Sequence, residues 1–290
     1  MSKLVRFARA VLIGLVVAGA LSWAAIFALS ERILRRHYAE PPTALALPED
    51  PASVERGRHL ALTRGCTDCH GQRLEGTVFF DEAHIARLTA PNLTRLVRER
   101  TVESLERSIR HGVRQEGTTV RGMPSEMYSE LTDADLGALL AYLRSLPEIE
   151  QELPATEIRI LGRVGLATGK YVLAAQRLES APPRRYPVDP ADPVSQGRYL
   201  ARTTCTECHG RDLRGDAGGP EPSPNLALVA SYTPEQFARL MREGVPAGGQ
   251  KLGLMAAVAR GRCAHFTDEE IAALYQYLRL LADPSAADRL

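Results

Sequence analysis

Gly65-Cys-Thr-Asp-Cys-His-Gly71 and Thr204-Cys-Thr-Glu-Cys-His-Gly210 are one pattern written twice, about 140 residues apart. The likeness runs outward from both copies. Upstream, Gly57-Arg-His-Leu-Ala matches Gly197-Arg-Tyr-Leu-Ala. Downstream, Pro91-Asn-Leu93 matches Pro224-Asn-Leu226, and Arg110-His-Gly-Val113 matches Arg242-Glu-Gly-Val245. Leu131-Thr-Asp133 matches Phe266-Thr-Asp268, and Ala141-Tyr-Leu-Arg144 matches Gln276-Tyr-Leu-Arg279. A period this long excludes a solenoid and predicts two tandem domains. Their boundaries are expected at 50–148 and 191–283, after an N-terminal segment 1–40 and separated by a linker, 149–190.

Both units read as helical. Thr132 with Asp135, and Thr267 with Glu270, have the spacing of a capping box. Leu136, Leu139, Leu140 and Leu143 then form one apolar stripe, repeated by Ile271, Leu274, Leu278 and Leu281. Pro147 and Pro284 close these helices. Mid-domain helices are expected from Thr101 and from Thr233-Pro234, where proline suits the first turn. No run alternates strictly enough to predict a strand. In the linker, Ile158–Leu173 is expected to hold a short helix packed between the domains. Pro182, Pro183, Pro187, Pro190 and Pro193 are expected to be extended.

Two thiols separated by two residues reach one edge of a flat ring from a single helical turn, and the histidine that follows then points beneath it. That is the arrangement for covalent haem. Cys66 and Cys69, and again Cys205 and Cys208, would add across the vinyl groups, with His70 and His209 as iron ligands. A zinc site would need a second close ligand pair in each unit, and none is present. A thioredoxin-like site would need a βαβ pattern, also absent. The other axial ligand is expected from Met123 and Met255, which lie eleven residues after Gly112 and Gly244. Met127 and Met241 sit in apolar surroundings and read as packing residues. The fifth cysteine, Cys263, stands alone and reads as a small buried hydrophobe. His59, His84 and His111 have no counterpart of the same type in the repeat and read as structural or exposed, and the Arg/Glu pairs on helix faces as solvated surface.

Hydrophobic residues make up 44% of the 290, enough for packed cores, with only 6% aromatic. The net charge of +1 hides an asymmetry: residues 1–40 carry six Lys and Arg against two Glu, leaving the rest slightly acidic. No basic stripe remains for nucleic acid. The basic cluster flanks Ala10–Leu29, an uncharged run long enough to cross a bilayer as a helix, with Trp23 and Phe27 near its far end. A signal peptide cleaved after Ala28-x-Ser30 is the alternative.

Each unit resembles a class I cytochrome c domain. The pair resembles the membrane-anchored multihaem cytochrome subunits of bacterial alcohol and gluconate dehydrogenases. The resemblance implies an all-α fold in which the first helix, at Gly57 and Gly197, crosses the last, where Tyr142 and Tyr277 pack on it. It implies a Met-Pro ligand loop at Met123-Pro124, and carbonyls of Pro91 and Pro224 as acceptors for the proximal histidines. Unit two departs from the pattern: Ala256 follows Met255, and the segment to Thr267 is three residues longer, so His265 is an alternative ligand. It also implies two covalent haems c and single-pass anchorage in a bacterial cytoplasmic membrane with the haem domains facing the periplasm. Redox proteins (a dehydrogenase, a quinol-linked complex or an oxidase) would be the partners. Electron transfer is the function this favours. A dihaem peroxidase and a haem-bearing anchor subunit of a dehydrogenase remain as alternatives.

Overall fold

The computed structural model describes residues 3–39, 45–180, 186–216 and 222–283. Pro182, Pro183 and Pro284 lie outside the described residues. Of the other prolines expected to be extended, Pro187 and Pro190 lie in irregular chain, but Pro193 opens a helix, where its missing N–H costs nothing.

α1 (Lys3–Leu34) is one continuous helix whose first 27 residues are solvent-exposed except for a partly covered Ile26. It is the one helix among the described residues long and apolar enough to cross a membrane. Its C-terminal end is buried, at Ser30 and Leu34.

The first unit opens with α2 (Pro51–Thr63), capped by the Asp50 carboxylate. A short α3 (Cys66–His70) follows, and then strands β1 (Thr77–Glu82) and β2 (Ala86–Ala90). Next come α4 (Leu93–Glu99), capped by Asn92, and α5 (Val102–Glu106), capped by Thr101 and continued by a π-helical turn, Arg107–His111. α6 (Ser125–Tyr128) and α7 (Asp133–Ser145) complete it. β3 (Glu157–Ile158), α8 (Ile160–Ala167) and α9 (Ala174–Ser180) fill the connection. The second unit repeats the plan with α10 (Pro193–Thr204), α11 (Thr206–His209), a 3-10 turn Leu226–Ser231, α12 (Pro234–Glu243), α13 (Leu254–Gly261), a 3-10 turn Cys263–His265, and α14 (Asp268–Leu280).

The fold is all-α apart from the antiparallel hairpin β1–β2, to which β3 adds two residues. These strands were invisible to a period-two reading because β1 is half-buried at four successive positions, with a bulge between Val78 and Phe80. The linker helix also departs from expectation. α8 does not lie between the domains; it docks on α1, where Arg163 bonds Ser30 Oγ and Glu31 (2.9 Å each) and stacks over the Phe27 ring.

In each unit the first helix crosses the last at a glycine. A Cβ on Gly57 would fall on the Ala138 carbonyl and against Tyr142, and a Cβ on Gly197 on the Ala273 carbonyl and against Tyr277. Close approach of the backbones then seals two cores. Leu60, Leu136, Leu140 and Leu143 bury almost completely in the first, and Phe237, Phe266, Leu274 and Leu278 in the second. Each contributes about 1.5–3 kcal/mol over its exposed state.

Candidate cofactor sites and the junction between them

Gly65 takes a left-handed conformation (φ 73°) that turns the chain from α2 into α3. One turn of α3 then carries Cys66, Cys69 and His70. His70 Nδ1 donates to the Pro91 carbonyl at 2.8 Å, so its remaining lone pair is on Nε2. Packing holds the imidazole below its ordinary pKa, against the opposing pull of the Pro91 carbonyl, and so favours the neutral, ligating form. Burial likewise pushes the thiols up, Cys66 to about 12 and Cys69 to about 11, keeping them as thiols rather than thiolates.

These three residues line a cavity of about 540 Å³. Leu96, Val97, Leu105, Ile109, Leu139 and Leu143 make its apolar walls, and Met123-Pro124 forms another part. Arg100, Arg114 and Arg121 also line it. The Nε of Arg121 and the Oγ1 of Thr89 are buried there without hydrogen-bond partners. Such orphaned donors need an explanation. An apolar macrocycle bearing two carboxylates, attached through the thiols, fits the volume, the walls and the unpaired donors together.

The second unit rebuilds the same parts. His209 Nδ1 donates to the Pro224 carbonyl at 2.9 Å, and packing depresses its pKa as it does that of His70. Burial raises the Cys205 thiol to about 12 and raises Cys208 as well. Met255 is partly buried in α13, against the same core as Cys205, while His265 is exposed. Met127 and Met241 are 2% and 3% exposed inside their cores, as packing residues should be, and Cys263 is buried at 3%. In both units a leucine four residues after the histidine sits in the left-handed region, Leu74 (φ 62°) and Leu213 (φ 60°), and is fully buried. Its carbonyl receives the N–H of Leu93 or Leu226, which ties the histidine turn to the Pro-Asn-Leu segment. Sequence reading missed these leucines, although their equal offset from the motif was visible.

It also misjudged several charged residues. The structure buries Arg110 against Glu106, contrary to a solvated-surface reading. Arg110 donates to the Leu131 carbonyl (2.7 Å) and pairs with Asp133. In the repeat, Arg242 donates to the Phe266 carbonyl (2.6 Å) and pairs with Asp268. The matched arginine thus pins the end of the methionine-bearing segment to the start of the last helix in both units.

The two units face each other through a reciprocal contact. His59 Nε2 bonds the Glu270 carboxylate (2.9 Å) of the second unit, and Tyr199, at the equivalent position of the second unit, donates to Asp135 (2.6 Å) of the first. Glu270 and Asp135 occupy equivalent positions three residues into their capped helices. Asp135 therefore does not close the expected capping box; its carboxylate turns outward to Arg56 (3.0 Å) and Tyr199, whereas Glu270 closes its own box and still reaches His59. Arg202 pairs with Glu130 across the same seam. At its centre Arg262, whose side chain is 8% exposed, bonds Asp68 (2.9 Å) and Glu207 (3.3 Å), the acidic residues inside the two C-x-x-C-H motifs. Burial alone would weaken the charge on Arg262, but the anionic groups around it more than compensate and its pKa rises. Nothing in a lone Arg262 pointed to this; the repeated acid within the motif was the available signal.

Comparison with known proteins matches this architecture. The family model described as cytochrome c matches residues 54–147 and again 194–282. The fructose dehydrogenase cytochrome subunit of Gluconobacter japonicus is 26% identical over 272 residues, covering 83% of this chain and 55% of its own length. The gluconate 2-dehydrogenase cytochrome c subunit of Pantoea cypripedii is 24% identical, covering 83% of this chain and 63% of its own. The cytochrome c subunit of a quinone-linked alcohol dehydrogenase from Gluconacetobacter polyoxogenes is also 24% identical, covering 86% and 63%. The chain thus spans a little over half to under two thirds of the length of these relatives.

Proposed function

This chain belongs to the cytochrome c family, and on that premise we propose that it is a membrane-anchored dihaem subunit that relays electrons from a dehydrogenase. The observation that carries the reading is the doubled attachment site: two thiols on one helical turn and a histidine oriented by a proline carbonyl, repeated in each unit. Bound haem supplies a one-electron ferric–ferrous couple. Cys66 and Cys69 would hold one group and Cys205 and Cys208 the other. His70 and His209 present neutral Nε2 lone pairs, with rings fixed and basicity raised by Pro91 and Pro224. Met123 and Met255 are the residues proposed as further iron ligands, whose thioethers would favour the reduced state. Arg121 and Thr89 would satisfy carboxylates at the first site. The leucine-rich walls exclude water and lower the local dielectric.

The relatives are named as cytochrome subunits of fructose, gluconate and alcohol dehydrogenases, which supports a dehydrogenase as electron donor here. α1 supports membrane attachment, and the periplasmic side is where we place residues 31–290. Arg163 covers Ser30 and Glu31, which supports retention of α1 over cleavage near Ser30.

Potentiometric titration of the purified full-length protein, with spectra and a haem count, tests the proposal. Two haems per chain, low-spin and insensitive to carbon monoxide, with methionine–iron bands, are expected. One haem per chain sinks the dihaem relay. Carbon monoxide binding to the fresh protein would favour the peroxidase reading, and a low-potential second centre would remove Met255 from the ligand set.

A further inference from the structure

Arg262 joins the two attachment segments. Its Nε and Nη2 donate to Asp68 Oδ2 (3.1 and 2.9 Å), and its Nη1 and Nη2 to Glu207 Oε2 (3.3 and 3.4 Å). Nη1 also lies 3.5 Å from the Thr204 carbonyl, just before Cys205. The guanidinium rests on Gly65, where any side chain would displace it. Although it comes from the second unit, Arg262 lines the cavity of the first beside Cys66 and Cys69, together with Glu207. It arises in the stretch between Met255 and Thr267, the part of unit two that is three residues longer than its counterpart.

We propose that Arg262 is the positioning residue for electron exchange between the two haem sites: a single guanidinium, held by the acid of each motif, fixes the two attachment segments side by side and sets the potential of both centres. This rests on the dihaem reading above. Stability is a poor reason for the arrangement, because a buried ion pair roughly breaks even against its desolvation. Its position is the better one. A fork of donors reaches two carboxylates at fixed geometry, which a lysine's point charge does not. A positive charge at the seam favours the reduced form on both sides, and its removal leaves Asp68 and Glu207 uncompensated beside both sites.

The test uses the full-length holoprotein. Arg262→Gln is expected to lower both midpoint potentials and to weaken the spin–spin interaction between the two ferric centres measured by electron paramagnetic resonance. Arg262→Lys keeps the charge but not the fork, so it should restore most of the potential and little of the interaction. Arg239→Gln, on an exposed helix face, should move neither. A shift at one centre only, or at neither, overturns the proposal. If Arg262→Gln does not fold, the paired substitution Asp68→Asn and Glu207→Gln serves: it should raise both potentials and weaken the interaction, and unchanged values overturn the proposal. A wild type with fewer than two haems would sink the functional reading instead, so the two failures are distinguishable.

Discussion

A buried guanidinium is costly unless its donors are used, and the matched arginines Arg110 and Arg242 show how each unit uses one. Each holds the carbonyl just before the capping threonine and the acid just after it. Arg110→Ala would leave Glu106, whose side chain is 4% exposed, with His111 (3.5 Å) as its remaining ion-pair partner, and would free the Leu131 carbonyl. We expect a loss of about 3–5 kcal/mol in chemical denaturation. Arg242, with its side chain one third exposed, is screened by solvent, and its alanine variant should cost about 1 kcal/mol. Equal costs at the two positions would contradict the burial argument. Leu74 and Leu213 make the opposite trade. A left-handed leucine costs about 1–2 kcal/mol, which burial of the side chain offsets. Leu213→Ala keeps the unfavourable backbone and loses the burial, so a drop of about 2–5 kcal/mol is expected. A thermal melt of the haem-loaded protein measures it, and an unchanged melt would refute it.

Among the elements, the helix crossing decides how each unit closes. Alanine normally favours a helix over glycine by about 1 kcal/mol. At Gly57 and Gly197 the added methyl would meet a backbone carbonyl, which no rotamer change can relieve. Overpacking of this kind costs about 1–3 kcal/mol or more, so Gly57→Ala and Gly197→Ala should each destabilise despite the propensity gain. Urea denaturation with stabilisation in either variant would show that the crossing is looser than it looks. The repeated glycine was legible in the sequence as a match between units. Its reason was not, because a contact between helices about 80 residues apart leaves no local periodicity. The hairpin and the docking of α8 on α1 were illegible for the same cause: β1 is evenly half-buried, and a short amphipathic segment does not name the surface it will cover.

The contact between the units is two-fold in part: the bond from His59 to Glu270 is answered by the bond from Tyr199 to Asp135 at equivalent positions, as in an isologous interface, whereas Arg202 and Arg262 reach across from the second unit alone. His59 and Tyr199 were opaque to sequence reading because one position of the repeat holds different residue types. Both are donors in these contacts. The seam should be acid-sensitive. Burial pushes the Asp135 and Glu270 carboxyls up, but the bonds from Arg56 and His59 outweigh it, and both pKa values fall below the ordinary range. The stability they add is therefore complete above the unfolded value, about pH 4, and is lost as pH falls through the lower folded values. Melting temperature followed from pH 7 to pH 3 should drop less steeply in a variant carrying Asp135→Asn and Glu270→Gln than in the wild type; parallel curves would remove the seam from the account.

What the sequence determined by itself is what local order can encode. The two Cys-x-x-Cys-His segments, the caps at Thr101, Thr132, Thr233 and Thr267, the apolar stripes and the apolar run of α1 each depend on residues within a few positions of one another. The tertiary structure alone decided the reciprocal seam, the burial of Arg110, and the meeting of Asp68, Glu207 and Arg262. Those depend on partners up to 211 residues apart, as His59 and Glu270 are. Such pairings are chosen only when the backbones have closed, since desolvation and distance set whether a charge is a surface decoration or a buried clamp.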